Sequence, residues 1–403
     1  MNRFRTLSGV DLRGKRVLVR ADLNVPVEDG QVTDATRIDR FAAGMRPLLE
    51  QGARIVILTH FGRPKANVLD PAFSVDKLRP ALAKALDRPV AFSDVCIGAS
   101  AEALAERMKD GQVLLCENLR YHAGEMANDP QFVRDLARLG DIYVNDAFSC
   151  AHRAHASTTG LAHVLPSFAG PLLQEELSAL SAALDAPSRP SVAIVGGAKV
   201  STKIAVLKNL VTRLDHVIIG GGMANTFLFA DGAVMGLSLH EAGEVDTVRE
   251  IRAQAAASGC TIHLPSDAVI ATEFSASAEA RVVAPNACPA NAMILDAGPA
   301  SVAAFAAVLE ECRTILWNGP LGAFELAPFA AATRGLAQVA ARLTQTGQTV
   351  SVAGGGDTVA ALNAARVTDQ FTYVSTAGGA FLEWLEGKTL PGIAALQSAA
   401  HAA

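Results

Sequence analysis

The stretch Asp185-Ala186-Pro187-Ser188-Arg189-Pro190, followed by Ser191-Val192-Ala193-Ile194-Val195 and then Gly196-Gly197-Ala198-Lys199, decides the fold. Two prolines among small polar residues mark a boundary. An uninterrupted apolar, β-branched run then reads as a strand buried on both faces, and the glycines that follow turn it into the next helix. Working outward, the same unit recurs on both sides. Upstream strands are expected at 16–20, 54–58, 113–116 and 141–144, and downstream ones at 191–195, 215–219, 313–317 and 349–353. Helical periodicity fills the intervals, for example at 37–51, 74–86, 130–139, 172–185, 200–213, 246–257, 299–311 and 328–344. Alternating strands and helices with continuous apolar strands predict an α/β protein of two doubly wound, Rossmann-like parallel-sheet domains joined by a hinge. A chain of 403 residues fits two domains.

Composition narrows the function. Hydrophobic residues make up 50% and charged residues 19%, which supports packed cores and argues against disorder. The net charge of −5 gives no reason to expect a nucleic-acid partner. Residues 1–170 carry 22 Lys and Arg against 20 Asp and Glu, whereas residues 171–403 carry 13 against 20. An anion would therefore find more cationic partners in the first half, although ordinary surface variation produces such a split as well. The six cysteines are widely spaced without a CxxC pair, so neither a disulfide framework nor a zinc site is expected. Cys96, Cys116 and Cys150 read as small buried hydrophobes. With no signal-peptide core at the start and no apolar run long enough to span a bilayer, a cytoplasmic protein without membrane partners is expected.

Ligands of open parallel sheets bind beyond the carboxyl ends of the strands, and there the halves differ. The first half offers Asp22, Asn24, His60, Arg63 and Arg120, with the dense run His152-Arg153-Ala154-His155 further on. Arg37, His60, Arg63, Arg120, His152, Arg153 and His155 form a cationic set from separate segments, suited to phosphate and carboxylate. The second half offers Gly196-Gly197, Gly220-Gly221-Gly222, Asn318-Gly319-Pro320 and Gly354-Gly355-Gly356-Asp357-Thr358. Glycine at a helix start lets the backbone approach a phosphate, whose charge the helix dipole favours. Each such turn also serves as a plain strand-to-helix connection; it is their recurrence that points to a nucleotide. Lys199 and Lys203, four apart, are expected on one face of a helix at its first turns, where two cations gain from an anion between them. Two solvated lysines are the alternative. Gly9 to Arg16 nearly matches a P-loop but lacks the final Ser or Thr and precedes a strand. Asn225 and Val359 break the dinucleotide fingerprint at the Gly220 and Gly354 turns.

These segments resemble the phosphoglycerate kinase family. The resemblance runs through RVLVRADLNVP (16–26), HFGRP (60–64), ENLRYH (117–122), NDAFSCAHRAHAST (145–158), GGAKVSTKI (196–204), IIGGGMANTF (218–227), LWNGPLGAFE (316–325), GGGDT (354–358) and STAGGAFLEWLEGKTLPG (375–392). It spans nearly the whole chain in family order. Phe61 stands where the family often has Leu, Ser149-Cys150 where it often has Gly-Thr, and Ala377 interrupts a stretch often made of three glycines.

The resemblance implies reversible phosphoryl transfer between 1,3-bisphosphoglycerate and ADP, giving 3-phosphoglycerate and ATP, in glycolysis, gluconeogenesis or carbon fixation. It implies that Asp22, Asn24, Arg37, His60, Arg63, Arg120 and Arg153 hold the glycerate. Gly197, Ala198, Gly221 and Pro320 would line the adenine pocket and Glu325 would meet the ribose. Lys203, Asn318, Gly355, Gly356, Asp357 and Thr358 would surround the nucleotide phosphates and Mg2+, with Asp357 on the metal. Arg37 and Lys199 would act on the phosphoryl group in flight. The expected limits are a phosphoglycerate-binding domain over 1–170 with the tail 390–403 packed back on it, a helical linker over 171–190, and a nucleotide-binding domain over 191–389. A monomer is expected. An NAD-dependent dehydrogenase and a nucleotide-binding scaffold without turnover stay open as other readings of a two-domain α/β chain. The broken fingerprints count against the first, and the retention of Arg37, Lys199 and Asp357 counts against the second.

Overall fold

The computed structural model describes residues 4–401, and they form two compact units. One holds the chain up to Glu176 together with the stretch from Thr389 onward; the other holds Leu177–Lys388. The first division falls inside the helix Pro171–Leu180.

The sheet of the first unit has six strands in the order Val90–Ser93, Val113–Cys116, Arg54–Leu58, Arg16–Ala21, Ile142–Asp146 and Ser167–Ala169. Every pairing in it is parallel. Val17, Val19, Ile55, Ile57, Leu115 and Val144 are fully or almost fully buried, packed with helix residues such as Ile38, Phe41 and Met45. Both faces of the inner strands are covered, which is why they read as continuous apolar runs. The closing helix Pro391–His401 belongs to this unit, and Gly392 N donates to Ala151 O at 2.9 Å.

The second unit repeats the plan. Its six-stranded sheet runs Thr261–His263, His216–Ile219, Ser191–Val195, Thr314–Asn318, Val350–Gly354 and Tyr373–Ser375, again parallel throughout. A smaller antiparallel sheet, Arg281–Val283, Ala268–Ala271 and Met293–Ala297, is an addition the sequence pattern did not announce.

The eight strands expected from the sequence are all present, within one residue at either end except that the strand expected at 141–144 runs on to Asp146. The four that extend these sheets, Val90–Ser93, Ser167–Ala169, Thr261–His263 and Tyr373–Ser375, are the four edges. An edge strand pairs on one side only and is short, so its pattern is weak. Because all strands in each sheet are parallel, their carboxyl ends share one rim, and the residues just past them are brought together.

Candidate functional site

Along the rim of the first unit, Arg37 sits in the first turn of the helix Thr36–Glu50 and donates to Asp22 Oδ2 at 2.9 Å and to Asn24 O at 3.2 Å. Ser149 Oγ makes a short bond to the same carboxylate oxygen. Burial alone would raise the Asp22 pKa, but the charge of Arg37, the Ser149 hydrogen bond and the charge of Arg20 act against it and leave the carboxyl lowered, hence ionised. Asn24 Oδ1 accepts from Gly62 N at 2.9 Å, while Arg120 Nη1 donates to Gly62 O at 2.6 Å. One residue is therefore held by both its N–H and its carbonyl, next to the exposed Arg63. Gly62 has φ +60, and a β-carbon there would meet Phe73 at 2.5 Å, so the position needs glycine. Arg153 Nε donates to His152 Nε2 at 3.2 Å.

Two members of the expected cationic set are not cations. His60 is pushed down to about 2 by burial and by Arg20, with Arg120 and Arg153 adding to the effect against the pull of Asp22. His155 is pushed down to about 4 by burial and then by Arg153, Arg120 and Arg20. The arginines supply the charge, and they crowd one another: the Arg120 pKa is lowered by burial and by Arg153. Cations held this close together suit an anionic ligand.

Arg20 was missed by the sequence reading. It lies on the central strand, opposite Leu58 and Asn145, with only 2% of its surface exposed. The signal was present: a charged residue inside the apolar run Arg16–Ala21 has to have buried partners. Its partners include Ser157 and, through Ser157, the buried Glu125, two further residues without a sequence cue. Asp22, His60 and Cys150 bring ligand-type atoms within 4.8 Å of one another. Arg20 Nη2 already donates to His60 Nδ1 and Cys150 Sγ, and Arg37 holds Asp22, so two guanidinium charges stand where a metal cation would have to enter.

On the rim of the second unit, the expected helix face carrying Lys199 and Lys203 does not form. Lys199 is extended at φ −136, ψ 131, a 3-10 turn covers Val200–Thr202, and the α-helix begins only at Ile204. Glu241 accepts from Ser201 N at 2.8 Å and Ser201 Oγ at 2.5 Å, which pins the turn. Lys199 is exposed, whereas Lys203 turns inward. Its Nζ donates to Gly196 O at 2.7 Å and to Asn318 O and Oδ1 at 3.0 and 2.7 Å. Burial pushes its pKa down to about 8 despite the opposing pull of Asp357. Asn318 Nδ2 donates in turn to Gly354 O at 2.7 Å, and Gly319 N donates to Thr358 Oγ1 at 2.7 Å. Lys203, Asn318, Gly319, Gly354 and Thr358 are thus one connected group.

The glycines divide into two kinds. A β-carbon on Gly196 would strike the carbonyl of Pro320, and one on Gly319 the carbonyl of Gly196, so these residues let two loops touch backbone to backbone. Gly221 and Gly222 approach Gly197 and Ala198 in the same way. Gly356 is different: it opens the helix Gly356–Ala364, and nothing lies within 4 Å of its missing β-carbon. Asp357 is exposed in the first turn of that helix, and Glu325 is exposed on its own loop. An open carboxylate in the first turn of a helix suits Mg2+, which takes one or two protein carboxylates and completes its shell with phosphate and water.

A cationic rim on one parallel-sheet unit and a glycine-built rim on another define a two-domain α/β phosphotransferase. The family model for phosphoglycerate kinase matches residues 7–388. The chain is 58% identical over 394 residues to phosphoglycerate kinase of Cereibacter sphaeroides (strain ATCC 17025 / ATH 2.4.3), covering 98% of this chain and 99% of that one. It is 57% identical over 401 residues to that of Methylorubrum populi, covering 99% and 100%. The solved phosphoglycerate kinase of Coxiella burnetii superposes with a TM-score of 0.92 at 43% identity, covering 98% and 100%. That of Pyrococcus horikoshii gives 0.79 at 29% identity, covering 98% and 99%. The chain belongs to the phosphoglycerate kinase family. Its reaction is the reversible transfer of a phosphoryl group between 1,3-bisphosphoglycerate and ADP. Among the described residues no helix is long and apolar enough to cross a membrane.

Proposed function

We propose that the rim of the first unit holds the phosphate and carboxylate of 3-phosphoglycerate, and that the rim of the second holds ADP or ATP. The observation carrying this is the gathering of Arg120 and Arg153 beside Arg20: the Arg120 pKa is lowered first by burial and then by Arg153 and Arg20, and an incoming anion would offset that. Arg37, Arg63, Arg120 and Arg153 would meet the ligand by charge, and His60 by a neutral hydrogen bond. Asp22 and Asn24 would act chiefly by fixing Arg37 and Gly62. In the second unit Gly197, Ala198, Gly221 and Pro320 would border the adenine, and Glu325 the ribose. Lys203, Asn318, Gly355, Gly356 and Thr358 would receive the phosphates, with Asp357 holding Mg2+. When bound, that ion would neutralise phosphate charge.

In the direction of ATP use, a carboxylate oxygen of 3-phosphoglycerate forms a bond to the γ-phosphorus while the bond to the β,γ-bridging oxygen breaks. Neither oxygen has a proton to lose, so no general base is needed. Alignment and charge neutralisation do the work. Arg37 and Lys199 would stabilise the transferring group, whose charge is most exposed between donor and acceptor. Arg63→Ala tests the division of ligands. Calorimetry should show 3-phosphoglycerate binding weakened on the order of tenfold, as for loss of a charge-assisted pair, with ADP affinity unchanged. A comparable loss for ADP would contradict one ligand per unit.

A further inference from the structure

We infer that Arg20 is a positioning residue that fixes His60 in the tautomer carrying its proton on Nε2. The inference rests on the placement of His60 in the glycerate site.

Every nitrogen of Arg20 has a partner within the protein. Nε donates to Ser157 Oγ at 2.9 Å, Nη1 to the carbonyl of Ala21, and Nη2 to His60 Nδ1 at 3.0 Å and Cys150 Sγ at 3.4 Å. A guanidinium donates and never accepts. His60 Nδ1 is therefore the acceptor of its bond, and the ring hydrogen of the neutral imidazole stands on Nε2. An imidazole in this tautomer offers a donor to an anion; the other tautomer would offer a lone pair and repel it. Burial first, and then the charges of Arg20, Arg120 and Arg153, keep the ring neutral, while Asp22 favours protonation without prevailing.

The same donor-only logic runs the other way along the chain of contacts. Ser157 Oγ receives Arg20 Nε and so sends its own hydrogen to Glu125 Oε1 at 2.6 Å, while Ser157 N donates to Glu125 Oε2 at 3.0 Å. Glu125 is 1% exposed and Ser157 fully buried. The order Glu125, Ser157, Arg20, His60 is a buried line of hydrogen bonds with one direction at every link. Its last member is the imidazole of His60.

Nitrogen NMR of the native protein labelled at histidine reads the tautomer of His60 without any substitution, apart from His60→Gln for assignment. A protonated Nε2 with a bare Nδ1 is expected; a proton on Nδ1 would overturn the inference. A double-mutant cycle then tests the consequence by 3-phosphoglycerate calorimetry. Arg20→Lys should weaken binding on the order of tenfold in the native background and less than about twofold in the His60→Gln background, because contacting residues couple. Equal losses in both backgrounds would show that Arg20 acts otherwise. Ser157→Ala, which leaves Arg20 itself in place, should give a smaller loss that also vanishes with His60→Gln; persistence there would contradict the line. If His60→Gln alone left binding unchanged, the failure would lie in the placement of His60, a result distinct from additivity.

Discussion

Lys203 Nζ bonds both oxygens of Asn318, the backbone carbonyl at 3.0 Å and the side-chain oxygen at 2.7 Å. The pairing ties a lysine that follows one strand to the end of its neighbouring strand. It holds the ammonium inside the glycine-built rim, where burial pushes its pKa down to about 8 from an ordinary 10.5.

This lysine should give nucleotide binding a pH dependence. Below pH 8 the ammonium is charged and MgADP affinity should be flat. Above it, affinity should fall by up to about tenfold per pH unit, until the pKa of the complex is passed. On folding stability the sign reverses. Between pH 8 and 10.5 the unfolded chain binds the proton that the folded one has lost, so this group's contribution rises with pH. Calorimetry at pH 7, 8 and 9 checks the first effect, and Lys203→Met should abolish it.

Lys199→Ala should chiefly lower kcat, by about 3 kcal/mol in transition-state terms, as expected for removal of a preorganised charge donor. Its exposure and its freedom from the helix face leave the fold intact on replacement. Steady-state kinetics checks the split: a change confined to KM would make Lys199 a ground-state binder.

The two kinds of glycine should respond oppositely to alanine. Gly319→Ala forces a β-carbon onto the Gly196 carbonyl and should cost about 3 kcal/mol or more of stability. Gly356→Ala meets no protein atom and should leave the Tm nearly unchanged while raising KM for ATP, because the new methyl occupies space offered to phosphate. Thermal melts beside ATP saturation curves separate the two.

How much of this could be read in the sequence follows from what each residue is buried against. Strands such as Arg54–Leu58 and Ser191–Val195 show themselves because both faces are covered. Thr261–His263 does not, because it lies at an edge and is only partly buried. Arg37, Arg63, Arg120 and Arg153 were legible as cations near strand ends. The neutrality of His60 was not, since it depends on burial and on Arg20, forty positions away. The spacing of Lys199 and Lys203 suggested a helix, but the short turn at Val200–Thr202, pinned by Glu241, sends one lysine outward and the other inward. The recurring glycine turns of the second half pointed to a nucleotide, and loops packed against one another account for several of those glycines.

The central claim is that this chain moves a phosphoryl group from ATP to the carboxylate of 3-phosphoglycerate. The most direct measurement is turnover by the purified protein with ATP, magnesium and 3-phosphoglycerate. The acyl phosphate formed is followed through a dehydrogenase that reduces it with NADH. The account predicts NADH oxidation that needs both substrates and is lost on the order of a hundredfold or more in Lys199→Ala. Folded protein that gives no turnover, or that consumes ATP equally well without 3-phosphoglycerate, would contradict it.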